Sequence, residues 1–162
     1  MRWRKIVTAA AIILAGCASV DKARSVRSVH IVWKTPELKY ADMAFVRDFG
    51  DAVELELFGT ANPLAKLRIT PRRVCGGTFA CMDAQAFNAR YLSAAYPSDT
   101  LYRLLRFEPI FDAKTRRTTR HGFTQHIEKK HEYAIDYEVS KNRVHFRDTI
   151  RHIDIVIEGS GR

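Results

Sequence analysis

The sequence predicts a mainly β domain with a helical insert (α+β): an antiparallel, strongly curved open β-barrel under a two-helix lid. Three observations carry that expectation. From residue 28 onward apolar and polar residues mostly alternate with a period of two, the mark of strands with one wet and one dry face. The period turns helical only between Asp83 and Pro109. The connections between alternating runs are short, which favours an antiparallel meander. A chain of 162 residues suits one domain, and 46% hydrophobic with 28% charged residues removes disorder as the default.

The N-terminal stretch is set apart from this domain. Arg2, Arg4 and Lys5 precede an apolar run from Ile6 to Ala15, then Gly16-Cys17. A basic segment followed by about ten apolar residues reads as a secretory signal, too short to cross a ~30 Å hydrocarbon core as an ordinary helix. Leu14-Ala15-Gly16-Cys17 resembles the bacterial lipobox, which implies a diacylglycerol on the Cys17 sulfur and removal of residues 1–16. The alternative is an ordinary cleaved signal that happens to contain a cysteine. Ala18, where many retained lipoproteins carry Asp, points to the outer membrane, with the domain facing the periplasm. Residues 17–27 then read as a lipidated, flexible stalk and residues 28–162 as a single domain. Loss of residues 1–16 removes three cations, leaving 24 Lys and Arg against 18 Asp and Glu.

The elements follow in order. Ser28–Trp33 reads as a strand, and Met43–Phe49 and Ala52–Phe58 flank a turn at Gly50-Asp51. Within the latter, Val53, Leu55 and Leu57 alternate with Glu54 and Glu56. Leu64–Thr70 continues with Leu67 and Ile69 on the dry side until Pro71, and Arg72–Cys75 with Thr78–Cys81 suggests another hairpin. From Asp83, Phe87, Tyr91 (or Leu92) and Ala95 fall at helical spacing up to Pro97. Ser98 or Asp99 is placed to cap a second helix with Leu101, Leu104 and Leu105 on one side, stopping near Pro109. Residues 112–122 read as a basic loop. Strands resume at Phe123–Ile127, Tyr133–Val139, Arg143–Phe146 and Ile153–Ile157, giving four or five strands, the insert, then four strands.

Cys17 aside, an even pair remains, Cys75 and Cys81, and an oxidising compartment favours a disulfide. A two-residue turn at Gly76-Gly77 would instead set Cys75 opposite Thr78; the bridge needs a wider loop.

The run Leu55-Glu56-Leu57-Phe58, Asn62-Pro63-Leu64 and Lys66-Leu67-Arg68-Ile69 resembles the LolB family of outer-membrane lipoprotein receptors. Thr78–Ala84, Leu101–Pro109 and Val144–Ile157 extend that resemblance over roughly residues 40–157, mostly as pattern. Ala65 stands where the family's turn has Gly, and the chain is short upstream. The resemblance implies an open barrel with a helical lid over a hydrophobic cavity. It implies acyl chains of lipoproteins as cargo, a LolA-like periplasmic carrier as partner, and a protruding Leu64 in a membrane-insertion loop formed by Asn62, Pro63 and Leu64. The cavity lining expected from the inward alternation is Val53, Leu55, Leu57, Leu67, Ile69, Ile135, Tyr137, Val144, Phe146, Ile155 and Ile157. Phe87, Tyr91, Leu101, Leu104 and Leu105 would come from the lid. Each of these residues, taken singly, also fits a plain solid core.

A basic patch is expected from Arg103, Arg106, Lys114, Arg116, Arg117 and Arg120. For an envelope lipoprotein this favours anionic headgroups or an acidic carrier surface over nucleic acid. The six histidines show no metal-ligand spacing, and no nucleophile elbow, zinc helix or phosphate loop occurs, so neither catalysis, metal nor cofactor is expected. The expected molecule is a monomeric receptor of acylated lipoproteins. The alternatives are a structural or assembly lipoprotein of the envelope, or a lipid-binding module outside trafficking.

Overall fold

Alternation dominates the described chain because one face of each strand is dry. The computed structural model describes residues 22–60, 62–77 and 80–160; Cys17, the signal and most of the stalk lie outside them. Six strands precede the helices: β1 (Ser25–Lys34), β2 (Lys39–Asp48), β3 (Val53–Gly59), β4 (Asn62–Ile69), β5 (Arg73–Gly76) and β6 (Met82–Asp83). Helices α1 (Ala84–Tyr91) and α2 (Thr100–Arg106) and a 3-10 turn at Phe111–Ala113 come next. Five strands close the order: β7 (Arg117–Thr119), β8 (Gly122–Lys129), β9 (Tyr133–Ser140), β10 (Arg143–Asp148) and β11 (Ile153–Gly159).

All eleven strands form one antiparallel sheet in the order β6-β5-β4-β3-β2-β1-β11-β10-β9-β8-β7. The first and last strands pair at its centre, Ile31 opposite Ile157. β6 and β7 are its two edges, so the sheet is open and not a closed barrel. The segment from α1 to β7 therefore has to pass across the sheet from one edge to the other. Ser25 pairs with Asp48 and Asp48 with Val53, which puts the start of β1 at the end bearing the β2–β3 turn. The turns after β1, β3, β8 and β10 sit at the opposite end.

Several boundaries differ from the sequence expectation. Helix α1 stops at Tyr91 rather than running to Pro97. Its own polar side chains draw the chain back: Gln85 Nε2 donates to the Ala94 and Tyr96 carbonyls at 2.7 and 3.0 Å, and Asn88 Nδ2 donates to Pro97 O at 2.7 Å. That return carries Tyr96 into the core. Asp83 caps α1 by accepting the Gln85 and Ala86 amides, while Asp99, at the start of α2, makes an ion pair with Arg103 instead of a cap. Phe107, left-handed at φ 62°, ends α2 two residues before Pro109. Asn62, Pro63 and Leu64 do not form the turn but begin β4, with the register shifted beyond Leu57 so that Phe58 faces Pro63. Proline is tolerated there as the strand begins, beside a bulge. The expected Thr78–Cys81 strand is instead β6 at Met82–Asp83, and Thr78 and Phe79 lie outside the described residues. The basic loop contains a short edge strand, β7.

Candidate functional site

The inward side chains form a single buried cluster. Val53, Leu55, Leu57, Leu67, Ile69, Ile135, Tyr137, Val144, Phe146, Ile155 and Ile157 from the sheet meet Phe87, Leu101, Leu104 and Leu105 from the helices. Tyr91 is half-buried against them. Tyr96 joins this cluster, its ring edge-on to Phe111, Tyr133 and Phe146 at centroid distances of 5.9, 6.1 and 5.7 Å. The helical segment thus fills the dry face with its own side chains. Clefts open on the surface rather than within this core, and of the expected lining residues only Tyr91 and Tyr137 border them.

Polar contacts fix the helical segment to the sheet at both ends. At one, the Tyr96 hydroxyl donates to the buried Asp148 carboxylate, which also accepts the Ala134, Ile150 and Arg151 amides at 3.1, 2.9 and 3.1 Å. Burial and the adjacent carboxylate push the Tyr96 phenol far above its ordinary range, so it remains a donor. At the other, the Gly50 carbonyl accepts from Tyr102 Oη at 2.5 Å and Arg106 Nη1 at 2.9 Å. Gly50 has φ 94°, a conformation that costs glycine little and presents this carbonyl to the helix. Arg106 also pairs with Asp48 at 2.8 Å and Glu108 at 2.7 Å, and Arg27 donates to Leu105 O. Past α2, the buried Gln125 amide both accepts from Ile110 N and donates to Ile110 O, at 2.9 and 3.0 Å.

The expected basic patch divides. Arg103 and Arg106 are held by carboxylates and secure the helices, which removes them from any shared patch, while Lys114, Arg116, Arg117 and Arg120 are exposed. Glu54 and Glu56 share Arg47 at 3.0 and 2.7 Å on the wet face. Cys75 and Cys81 are bridged, with Cα atoms 4.0 Å apart. The pairing of Arg73 with Asp83 and Val74 with Met82 sets them opposite each other across the wider loop.

Leu64 is 60% exposed at the start of β4. It rests on Gly59, where a Cβ would stand 2.6 Å from its Cδ1. The tip is therefore apolar, open to solvent, and supported from below. Sequence reasoning missed Tyr96, Gln125 and Asp148. Asp148 had a legible signal: Asp at the start of a tight turn accepts amides two and three residues on.

These features define an open antiparallel sheet with one face covered by a segment of two helices that passes from edge to edge. No protein-family model and no curated protein matches the chain. Among the described residues no helix is long and apolar enough to cross a membrane, and no three metal-ligating side chains converge.

Proposed function

We propose that the protein is a lipid-anchored, periplasm-facing lipoprotein of the outer membrane that takes acyl chains of other lipoproteins from a LolA-like carrier and releases them into the bilayer. Leu64 carries the reading: a large aliphatic side chain, 60% exposed, beside a hairpin tip. Its setting in Asn62-Pro63-Leu64 resembles the LolB-like motif, and an open antiparallel sheet with a helical cover accords with the architecture that resemblance implies. Helix side chains occupy the dry face, so loading requires the helices to lift and acyl methylenes to replace Phe87, Tyr96 and Leu101. Each methylene buried contributes ~0.8 kcal/mol, enough over a full chain to offset loss of those contacts. The exposed cations from Lys114 to Arg120 suit an acidic carrier surface.

The filled interior favours a second reading, a non-catalytic structural or assembly lipoprotein whose core never opens. One experiment separates them. Carrier loaded with acylated cargo is mixed with the protein, then with liposomes, and uptake and incorporation are measured separately. Wild type should perform both steps, and Leu64→Glu should accept cargo without incorporating it. Unimpaired incorporation by Leu64→Glu refutes the role of Leu64; a wild-type protein that takes no cargo leaves the structural reading.

A further inference from the structure

A cleft of about 570 Å³ opens at the end of the sheet opposite Ser25, between the last turn of α1 and the turns after β1 and β10. Thr35, Glu37, Arg90, Leu92, Ile150 and Arg151 line it. Its volume lies within the range of small-ligand sites. Arg90 rests against the Tyr91 ring, 5.3 Å from its centroid. Arg151 donates from Nε to the Glu132 carbonyl at 2.6 Å, which fixes the guanidinium and leaves its two terminal nitrogens unengaged among the described residues. Glu37 likewise forms no ion pair among the described residues. Thr35 accepts the Leu38 amide at 2.9 Å and keeps its hydroxyl proton to donate.

Two guanidiniums alone would suit any anion. The Glu37 carboxylate and the partial negative charge at the C-terminal end of α1 oppose an isolated anion and favour a ligand carrying both signs. The cleft also has apolar sides, and Ile150 on its rim is 41% exposed.

We infer that this cleft binds a phospholipid whose headgroup is a phosphoethanolamine. The phosphate lies between Arg90 and Arg151 and the ammonium toward Glu37. The ester-linked chains run past Ile150 and Leu92. The site stands independently of lipoprotein transfer, since it needs neither a carrier nor cargo.

The test uses the chain from Ala18 onward, which keeps the whole buried core from Val29 to Ile157 and has Trp33 as its single tryptophan. Dihexanoyl phosphatidylethanolamine, below its micelle concentration, is titrated while Trp33 fluorescence is followed, with calorimetry to register binding that leaves the indole signal unmoved. Saturable binding is expected, tighter than for dihexanoyl phosphatidylglycerol, glycerophosphoethanolamine or inorganic phosphate. Arg90→Gln and Arg151→Gln should each raise Kd about tenfold or more, as loss of a charged hydrogen bond implies. Glu37→Gln should abolish the preference for the ethanolamine lipid. No saturable binding by either readout overturns the inference, as does an unchanged Kd in the Arg90→Gln/Arg151→Gln double variant. Inorganic phosphate binding as tightly as the lipid would make this a free-phosphate site and would equally refute it. None of these results depends on cargo uptake.

Discussion

A tyrosine hydroxyl and an aspartate carboxylate meet inside the apolar interior, Tyr96 from the loop between the helices and Asp148 from the end of β10. Neither has water to fall back on: both residues are 1% exposed. The carboxylate also closes its own turn by accepting three amides, so one buried acid joins turn, sheet and helical segment. Tyr96→Phe keeps the ring contacts and removes only the donor. It should lower unfolding free energy by ~1–3 kcal/mol, read as a lower urea midpoint with an unchanged slope. No change in the midpoint would show that the contact contributes nothing net. At this scale the sequence was partly legible. Leu64 stands out because an aliphatic follows Asn-Pro, and it is 60% exposed, whereas Tyr96 falls off the apolar spacing of Phe87, Tyr91 and Ala95. Its partner is 52 residues away, a separation that no local pattern reports.

Between elements, the wet face is stitched by charged pairs that alternation exposes but does not pair. His126 on β8 bonds Asp136 on β9 through Nδ1 at 2.7 Å and Glu128 through Nε2 at 2.8 Å. Those two carboxylates raise its pKa above the ordinary 6.5. The sign follows: a folded pKa above the unfolded value means this stabilisation is complete below about pH 6.5 and is lost as pH rises through the folded pKa. NMR titration should find the His126 midpoint above 6.5, returning toward it in Asp136→Asn; an unshifted wild-type midpoint would contradict the bridge. Strand positions were legible because period two survives one-sided burial, as in Val53–Leu57 and Ile153–Ile157. Helix α1 was overextended because Ala95 sits at helical spacing, while Gln85 and Asn88, which fold the chain back, look like ordinary solvated residues. β7 was missed because a fully exposed edge strand, Arg117–Thr119, has no dry face to alternate with.

For the whole molecule, the change of period between two sets of strands was enough to foretell a helical insert on a sheet. The order of strands was not legible, since nothing local says that β1 pairs with β11. That pairing has a mechanical consequence for the lipid anchor proposed at Cys17. The chain enters the sheet at Ser25; along the strands, at ~3.3 Å per residue, Leu64 lies ~15 Å away, level with Leu57 and Phe58, and the Arg90–Arg151 cleft begins ~33 Å away at Thr35. From Cys17 to Ser25 the chain reaches at most ~28 Å when fully extended. On the proposed lipid anchor at Cys17, a leash of that length lets Leu64, and not the cleft, fold back to the anchoring bilayer with the strands lying along the stalk. Deleting five residues from 18–24 leaves a reach of only ~10 Å and should therefore abolish Leu64-dependent liposome incorporation, and a flexible insertion of equal size should not. Full activity after the deletion would mean that the protein serves a membrane other than that of its proposed anchor, acting across the gap as a boom rather than at its own foot.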